Sequence, residues 1–340
     1  MTRIKQIYTD NNKIIMKKIF FVIGILVIVC ACKQNSQTTV QNEKAVPVAV
    51  PEFNADSAYF YTAAQVAFGP RVPNTPAHVA CGNYLANELR RFGAEVIEQE
   101  ATLRTYNKQS IQAKNIIASF NPGNSNRILL CAHWDSRPFA DHDPDPANRH
   151  QAIDGANDGA GACGALLEIA RQIGNSQPNA GIDIILFDAE DWGTPEFDLQ
   201  KYGSTGWCLG SEYWAQHPHV PNYTAKYGIL LDMVSAPGAQ FYKEMYSMQY
   251  AGRMVQKVWD SAQALGYGSY FINKKCGGIQ DDHVEVFKYR KIPILDIIQY
   301  DPDSREGFGA YWHTAGDTMN EVSKETLKAV GQTVLYVIYQ

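Results

Sequence analysis

Short runs of consecutive apolar residues recur along this chain, with stretches of helical spacing between them. Ala113–Phe120, Arg127–His133, Ile182–Asp188, Tyr227–Met233 and Ile292–Gln299 are rich in aliphatic residues and alternate little. A strand buried on both faces has this character, whereas a strand with one wet face alternates apolar and polar positions. Asn121-Pro122-Gly123-Asn124 separates the first two runs and is turn chemistry. Apolar spacing predicts helices over Val79–Phe92, Ala160–Ile173, Leu209–His217, Met248–Leu265 and Asp282–Tyr289, and from Lys324 onward. Gly93 is a candidate C-cap for the first of these, and Ser323 a candidate N-cap for the last. Strand and helix alternate, so the expected fold class is α/β: three layers, with a mostly parallel, mixed central sheet flanked by helices.

Composition narrows the picture. The chain has 340 residues, 45% of them hydrophobic, enough for a full core. About 290 residues remain past the N-terminal segment and suit one large domain, placed at 52–340. A net charge of −5 with no basic stripe excludes a nucleic-acid partner.

The N-terminus reads differently. Met16-Lys17-Lys18 precedes an apolar run from Ile19 to Ala31, and Cys32 follows. A basic start, a short apolar stretch and a small residue before a cut describe a secretory leader. An apolar run of about 13 residues is too short to span a bilayer as a helix. Cys32 after such a run resembles a bacterial lipoprotein box, which would make it the lipidated first residue of an exported protein on the periplasmic face. Residues 1–32 are therefore read as leader, with Met16 the true start, and 33–51 as a flexible tether. Export permits disulfides. Cys81, Cys131, Cys163, Cys208 and Cys276 are odd in number, so one at least stays unpaired in a monomer, and Cys131 and Cys163 read as buried thiols.

The chemistry-bearing residues stand at or near the ends of the apolar runs. His133 closes Arg127–His133, Glu190-Asp191 follows Ile182–Asp188, and Asp232 ends Ile-Leu-Leu-Asp. Open α/β sheets build their sites at the carboxyl ends of their strands. Asp158 lies in Asp154-Gly155-Ala156-Asn157-Asp158-Gly159, where a plain helix N-cap is the competing reading. Adjacent Glu190 and Asp191 repel one another unless a cation or a shared proton relieves them. With His313 they form an oxygen-plus-imidazole set suited to zinc, which takes three protein ligands in catalytic sites and leaves a position open. Asp158, Asp191 and His313 would be the ligands. His133 and Asp232 would either hold a second ion with Asp158 or orient the first set from behind. No G-x-S-x-G, H-E-x-x-H or C-x-x-C occurs, so a serine hydrolase and a zincin find no support.

Ala132-His133-Trp134-Asp135-Ser136, Gly155-Ala156-Asn157-Asp158, Phe187-Asp188-Ala189-Glu190-Asp191, Leu231-Asp232, Gln280-Asp281-Asp282-His283 and Trp312-His313-Thr314 occur in that order. Together they resemble the zinc-dependent glutaminyl cyclases of the animal type, which share their fold with zinc aminopeptidases. The resemblance runs from about residue 57 to the C-terminus. It implies a zinc-aminopeptidase-like, phosphorylase/hydrolase-like fold and one zinc ion on Asp158, Asp191 and His313. It also implies Glu190 as proton shuttle, with Asp232 and Asp281 as a carboxylate pair beside it. Gln280, Phe308, Trp312 and Trp192 or Trp207 would line the substrate pocket, and His133 would stand behind the ligands. A cis Asp158-Gly159 peptide bond is expected on the same ground. Asp191 departs from the Glu of the animal enzymes and Asp296 from their His, and Trp192–Trp207 aligns poorly.

The activity that this resemblance implies is conversion of N-terminal glutamine to pyroglutamate on peptides or exported proteins, by a monomer that meets the membrane only through its lipid. The alternative is a two-zinc aminopeptidase. Asp281 before Asp282-His283 favours the cyclase, since the peptidases commonly have Ser-Asp-His there. A decayed fold used only for binding would lack ligands, and none is lacking.

Overall fold

The computed structural model describes residues 49–340, so Cys32, the leader and nearly all of the tether lie outside the described residues. The strands are β1 Glu95–Arg104, β2 Ser110–Phe120, β3 Arg127–His133, β4 Gly181–Phe187, β5 Tyr227–Asp232, β6 Phe241–Lys243, β7 Phe271–Lys275 and β8 Ile294–Ile298. The helices are α1 Ala55–Val66, α2 Pro76–Arg91, α3 Ala162–Asn175, the single turn α4 Leu199–Tyr202, α5 Leu209–Gln216, α6 Met245–Ala264, α7 Asp282–Arg290 and α8 Lys324–Tyr339. The main sheet runs β1-β2-β4-β3-β5-β8. Its β4, β3, β5 and β8 are parallel, while β2 is antiparallel to both β1 and β4. β6 and β7 form a separate parallel pair.

Register explains the unbroken apolar runs. Ala118, Ile184, Leu130, Ile229 and Leu295 line up across β2, β4, β3, β5 and β8. All five belong to a large core that also takes residues from α1, α2, α3, α6 and α8. One position along, Ile117, Ile185, Cys131 and Leu230 face a second core closed by Trp214 and Ala215 of α5 and Val286 of α7. With both faces covered, the strands read as nearly continuous apolar runs, and the three-layer arrangement follows.

Local chemistry sets the ends. Ser323 accepts a hydrogen bond from the Thr326 N–H at 3.2 Å and starts α8. Thr75 caps α2, with Pro76 at its first turn, and Gly93 just past it takes φ 92°.

Several features were not visible in the apolar pattern. β1 is an edge strand with no continuous apolar run, because no second core covers it. α1 and the short β6 and β7 lie outside the expected elements as well. β2 and β3, joined by Asn121–Asn124, are not neighbours, because β4 lies between them. Helix α3 starts at Ala162 rather than Ala160; Ala156–Gly161 form a wide turn in which Asp158 is non-helical, at φ −106° and ψ 90°. All five cysteines of the described residues are free thiols, and Cys131 and Cys163 are buried.

Candidate active site

The parallel strands all end on one edge of the sheet, and a cavity of about 900 Å³ opens there. Asp158, Glu190, Asp191, Asp232, Asp281 and His313 all line it. Each is delivered by a different piece of local structure.

Asp158 is held by its backbone. The N–H groups of Asn157 and Asp158 donate to the two Asp317 oxygens at 2.8 and 3.1 Å. The Asp158-Gly159 peptide is cis, as expected. Position 159 must be glycine, because a Cβ there would lie 2.5 Å from the His133 carbonyl oxygen and 2.6 Å from its Nε2. The Asp158 side chain caps no helix; it faces imidazoles instead.

Past β4, Ala189 at φ 54° turns the chain, and the N–H groups of Glu190 and Asp191 both donate to Asp135, at 3.1 and 3.2 Å. His313 places Nε2 3.2 Å from Asp191 Oδ1 and 3.7 Å from Asp158 Oδ2. Its ring is stacked on Trp312, with centroids 3.7 Å apart, and lies nearly parallel to the Trp207 ring, at 5.9 Å. His133 at the end of β3 sets Nε2 between Asp158 Oδ1, at 3.0 Å, and Asp232 Oδ1, at 3.2 Å.

Asp158, Asp191 and His313 each offer a ligand atom within 4.8 Å of the others, and all are buried. Asp191 Oδ2 is buried with no hydrogen-bond partner, a lone pair that the protein itself leaves unmet. Two carboxylates and an imidazole, so disposed, fit a divalent cation of the zinc kind. His133, Asp158 and Asp232 likewise bring ligand-type atoms within 4.8 Å of one another.

The carboxyl groups separate electrostatically. Burial works against ionisation of Asp191, but His313 and then Arg137 outweigh it and hold its carboxyl well below the usual range. Glu190 goes the other way: burial, then the neighbouring Asp191, push it well above. Asp281 is pushed up to about 6 by burial and by Asp232. Asp232 is raised by burial, although its hydrogen bond with His133 works against this. Burial works against His133, but hydrogen bonds that its ring donates to Asp135, Asp158 and Asp232 raise it well above the ordinary imidazole value. Adjacent acids pushed in opposite directions are how one site keeps a permanent anion next to a proton carrier.

Of the expected pocket residues, Trp207, Gln280, Phe308 and Trp312 line the cavity. Trp192 does not: its ring is buried with Ile111, Ala113 and Ala189 under the wall. Asp296 lies in the middle of β8, next to Leu230 of β5, and its carboxyl is raised well above the usual range by burial and by Asp281.

Other site residues escaped notice in the sequence. Arg137 is fully buried; it forms an ion pair with Asp141, with Nε 2.7 Å from Oδ1, and its Nη1 donates to the Asp191 carbonyl at 3.0 Å. Its guanidinium sits 4.6 Å from the centre of the Trp207 ring. Asp135 lies inside a quoted motif, but its part in bracing Glu190 and Asp191 shows only in the structure, as do those of Asp317 behind Asp158 and Cys208 beside Glu190.

Fold and site together define a metal-dependent α/β enzyme with its centre at the strand ends. The chain belongs to peptidase family M28, whose profile matches residues 115–338. A solved Zn-dependent exopeptidase from Parabacteroides distasonis is 61% identical, over 86% of this chain and all of that one, at a TM-score of 0.85. The glutaminyl cyclase of Tannerella forsythia is 60% identical, covering 85% of this chain and 99% of that one, at a TM-score of 0.84. Among curated relatives, the glutaminyl-peptide cyclotransferase of Bos taurus is 26% identical over 76% of this chain and 74% of its own.

Proposed function

We propose that this protein is a glutaminyl-peptide cyclotransferase, which converts an N-terminal glutamine to pyroglutamate with release of ammonia. The observation that carries this reading is the meeting of Glu190 and Asp281 beside the Asp158–Asp191–His313 group in one cavity walled by Trp207, Phe308 and Trp312. Asp158, Asp191 and His313 would hold one zinc ion, which supplies Lewis-acid polarisation of the γ-amide carbonyl. The substrate's α-amine attacks its own side-chain amide carbon. A C–N bond forms to close the five-membered ring, and the bond to the side-chain nitrogen breaks. The nucleophile is tethered, so orientation supplies much of the acceleration and no water need be activated. Glu190 takes the proton from the amine and delivers it to the departing nitrogen, ending the turnover as it began. A carboxyl raised well above its usual range suits that exchange. Asp281, raised to about 6 by burial and by Asp232, faces the amine. The aromatic walls exclude water from the ring-closing step.

Peptides beginning with Gln and with Leu, incubated side by side, test the reading. Pyroglutamyl product and ammonia from the first, with nothing from the second, are expected. A second reading, a two-zinc aminopeptidase, draws on the His133–Asp158–Asp232 group; free leucine with two zinc ions per chain would establish it in place of the first.

We also propose that the chain is exported as a lipoprotein anchored through Cys32 at the periplasmic face, and that its catalytic domain works as a monomer on exported proteins that begin with Gln. The support is the sequence Met16–Cys32. Cys32→Ser should abolish lipid labelling; a labelled Cys32→Ser protein would end that reading.

A further inference from the structure

The cavity contains a group that the proposed chemistry does not use. Cys208 Sγ lies 3.3 Å from Glu190 Oε1 as a hydrogen-bond donor, and Glu190, Cys208 and Asp281 form one group with ligand-type atoms within 4.8 Å of one another. The thiol thus stands where the two working carboxyl groups meet.

The backbone fixes it there. The Cys208 N–H donates to the Glu190 carbonyl at 2.9 Å, and the next N–H, of Leu209, donates to Ala189 at 3.1 Å. The Cys208 carbonyl accepts from the Ser211 hydroxyl at 3.1 Å, inside the first turn of α5. Cys208 also occupies the left-handed region, at φ 57° and ψ 32°. That conformation favours glycine and disfavours residues with a Cβ. A side chain is kept where the backbone alone would be easier without one. The thiol is buried, and burial followed by the Glu190 charge pushes it well above its usual range, so it keeps its hydrogen at neutral pH.

We propose that Cys208 is a positioning residue for the cyclisation: its S–H occupies Oε1 of Glu190 and leaves Oε2 as the oxygen that meets the substrate's amine and its departing nitrogen. The inference rests on the cyclase reading. A proton that must be collected at one place and delivered at another within a single turnover needs a carboxylate that does not rotate. Glu190 is braced at its N–H by Asp135, at its carbonyl by the Cys208 N–H and at its carboxylate by the Cys208 thiol. Removal of the last contact frees the side chain without disturbing the turn.

The full chain with zinc bound is compared as wild type, Cys208→Ala and Cys208→Ser. Cys208→Ala should lower kcat on a Gln-initiated peptide by about 10- to 100-fold, the scale of a misplaced catalytic group. KM and zinc per chain should stay as in the wild type. Cys208→Ser, which restores a donor, should recover most of the loss. An unchanged kcat in Cys208→Ala, or equal losses in both variants that track a fall in Tm, would mean packing alone and overturns the proposal.

Should Cys208→Ala not fold, the infrared S–H stretch decides, assigned by its disappearance in Cys208→Ser. It should move to higher frequency in Glu190→Gln, where a neutral amide accepts less strongly; an unmoved band overturns the proposal. That band reads the contact without turnover. A wild type that releases leucine and forms no pyroglutamate would therefore remove the cyclase reading, while the band still decides whether the thiol holds Glu190.

Discussion

The two ends of β4 treat buried acid in opposite ways. At the amino end, Asp183 is fully satisfied: Ser119 donates to Oδ1 at 2.6 Å, Arg127 donates to both oxygens, with Nη2 to Oδ1 at 2.6 Å, and Tyr223 donates to Oδ2 at 2.7 Å. At the carboxyl end, Asp158, Glu190, Asp191, Asp232 and Asp281 crowd one cavity, faced by the Arg137 guanidinium and the imidazoles of His133 and His313. Asp191 Oδ2 and Asp281 Oδ2 have no hydrogen-bond partner. Burial disfavours a charge at both ends, so the difference lies in who pairs with it. A buried carboxylate with every lone pair met is part of the scaffold, and one with lone pairs to spare is kept for something that comes and goes.

The largest effects are expected at the carboxyl end. Asp191→Asn should abolish zinc binding, measured as metal per chain, and lower turnover by at least about 10³-fold. Full zinc and full turnover in that variant would dissolve the contrast. Glu190→Gln should lower turnover by roughly 10²- to 10⁴-fold with zinc retained. Metal lost along with activity would show Glu190 to be a ligand, contrary to its assigned work.

At the amino end the readout changes from rate to stability. Asp183→Ala leaves the half-buried Arg127 without its anion and should cost about 1–3 kcal/mol in denaturant unfolding, with kcat of the folded protein unchanged. Tyr223→Phe removes one donor and should cost about 1 kcal/mol. A drop in kcat larger than the drop in stability, in either variant, would mean that the two ends communicate.

The smallest effect is a pH dependence. His219, which accepts from Trp214 Nε1 at 3.1 Å near Asp183, is held below its ordinary value by burial. The unfolded chain therefore takes up this proton first as pH falls below about 6.5. Its contribution is complete above that value and shrinks as pH drops toward the folded value. Urea midpoints at neutral pH and near pH 5.5 should differ less in His219→Gln than in the wild type.

The sequence shows this contrast from one side only. Asp158, Glu190, Asp191, Asp232 and His313 stood out because charged groups at the ends of apolar runs have few innocent explanations. Asp183 sits inside such a run and did not stand out, since its partners Arg127 and Tyr223 lie on other strands and loops that only register brings near. The same limit hid Cys208, Arg137 and Asp317: their roles come from the bonds they make, and local pattern carries no record of those. The strands with apolar runs were legible because two covering layers leave few polar positions. β1 was not, because an edge strand is free to alternate. The position of β4 between β2 and β3 is a long-range choice that neither flanking turn announces.

His313 comes near the end of the chain, long after Asp158 and Asp191. Any product interrupted before it keeps Asp158 and Asp191 but lacks the imidazole that completes that set. That set is therefore completed in one step, when the last part of the polypeptide brings His313 and its stacked neighbour Trp312 up to Trp207.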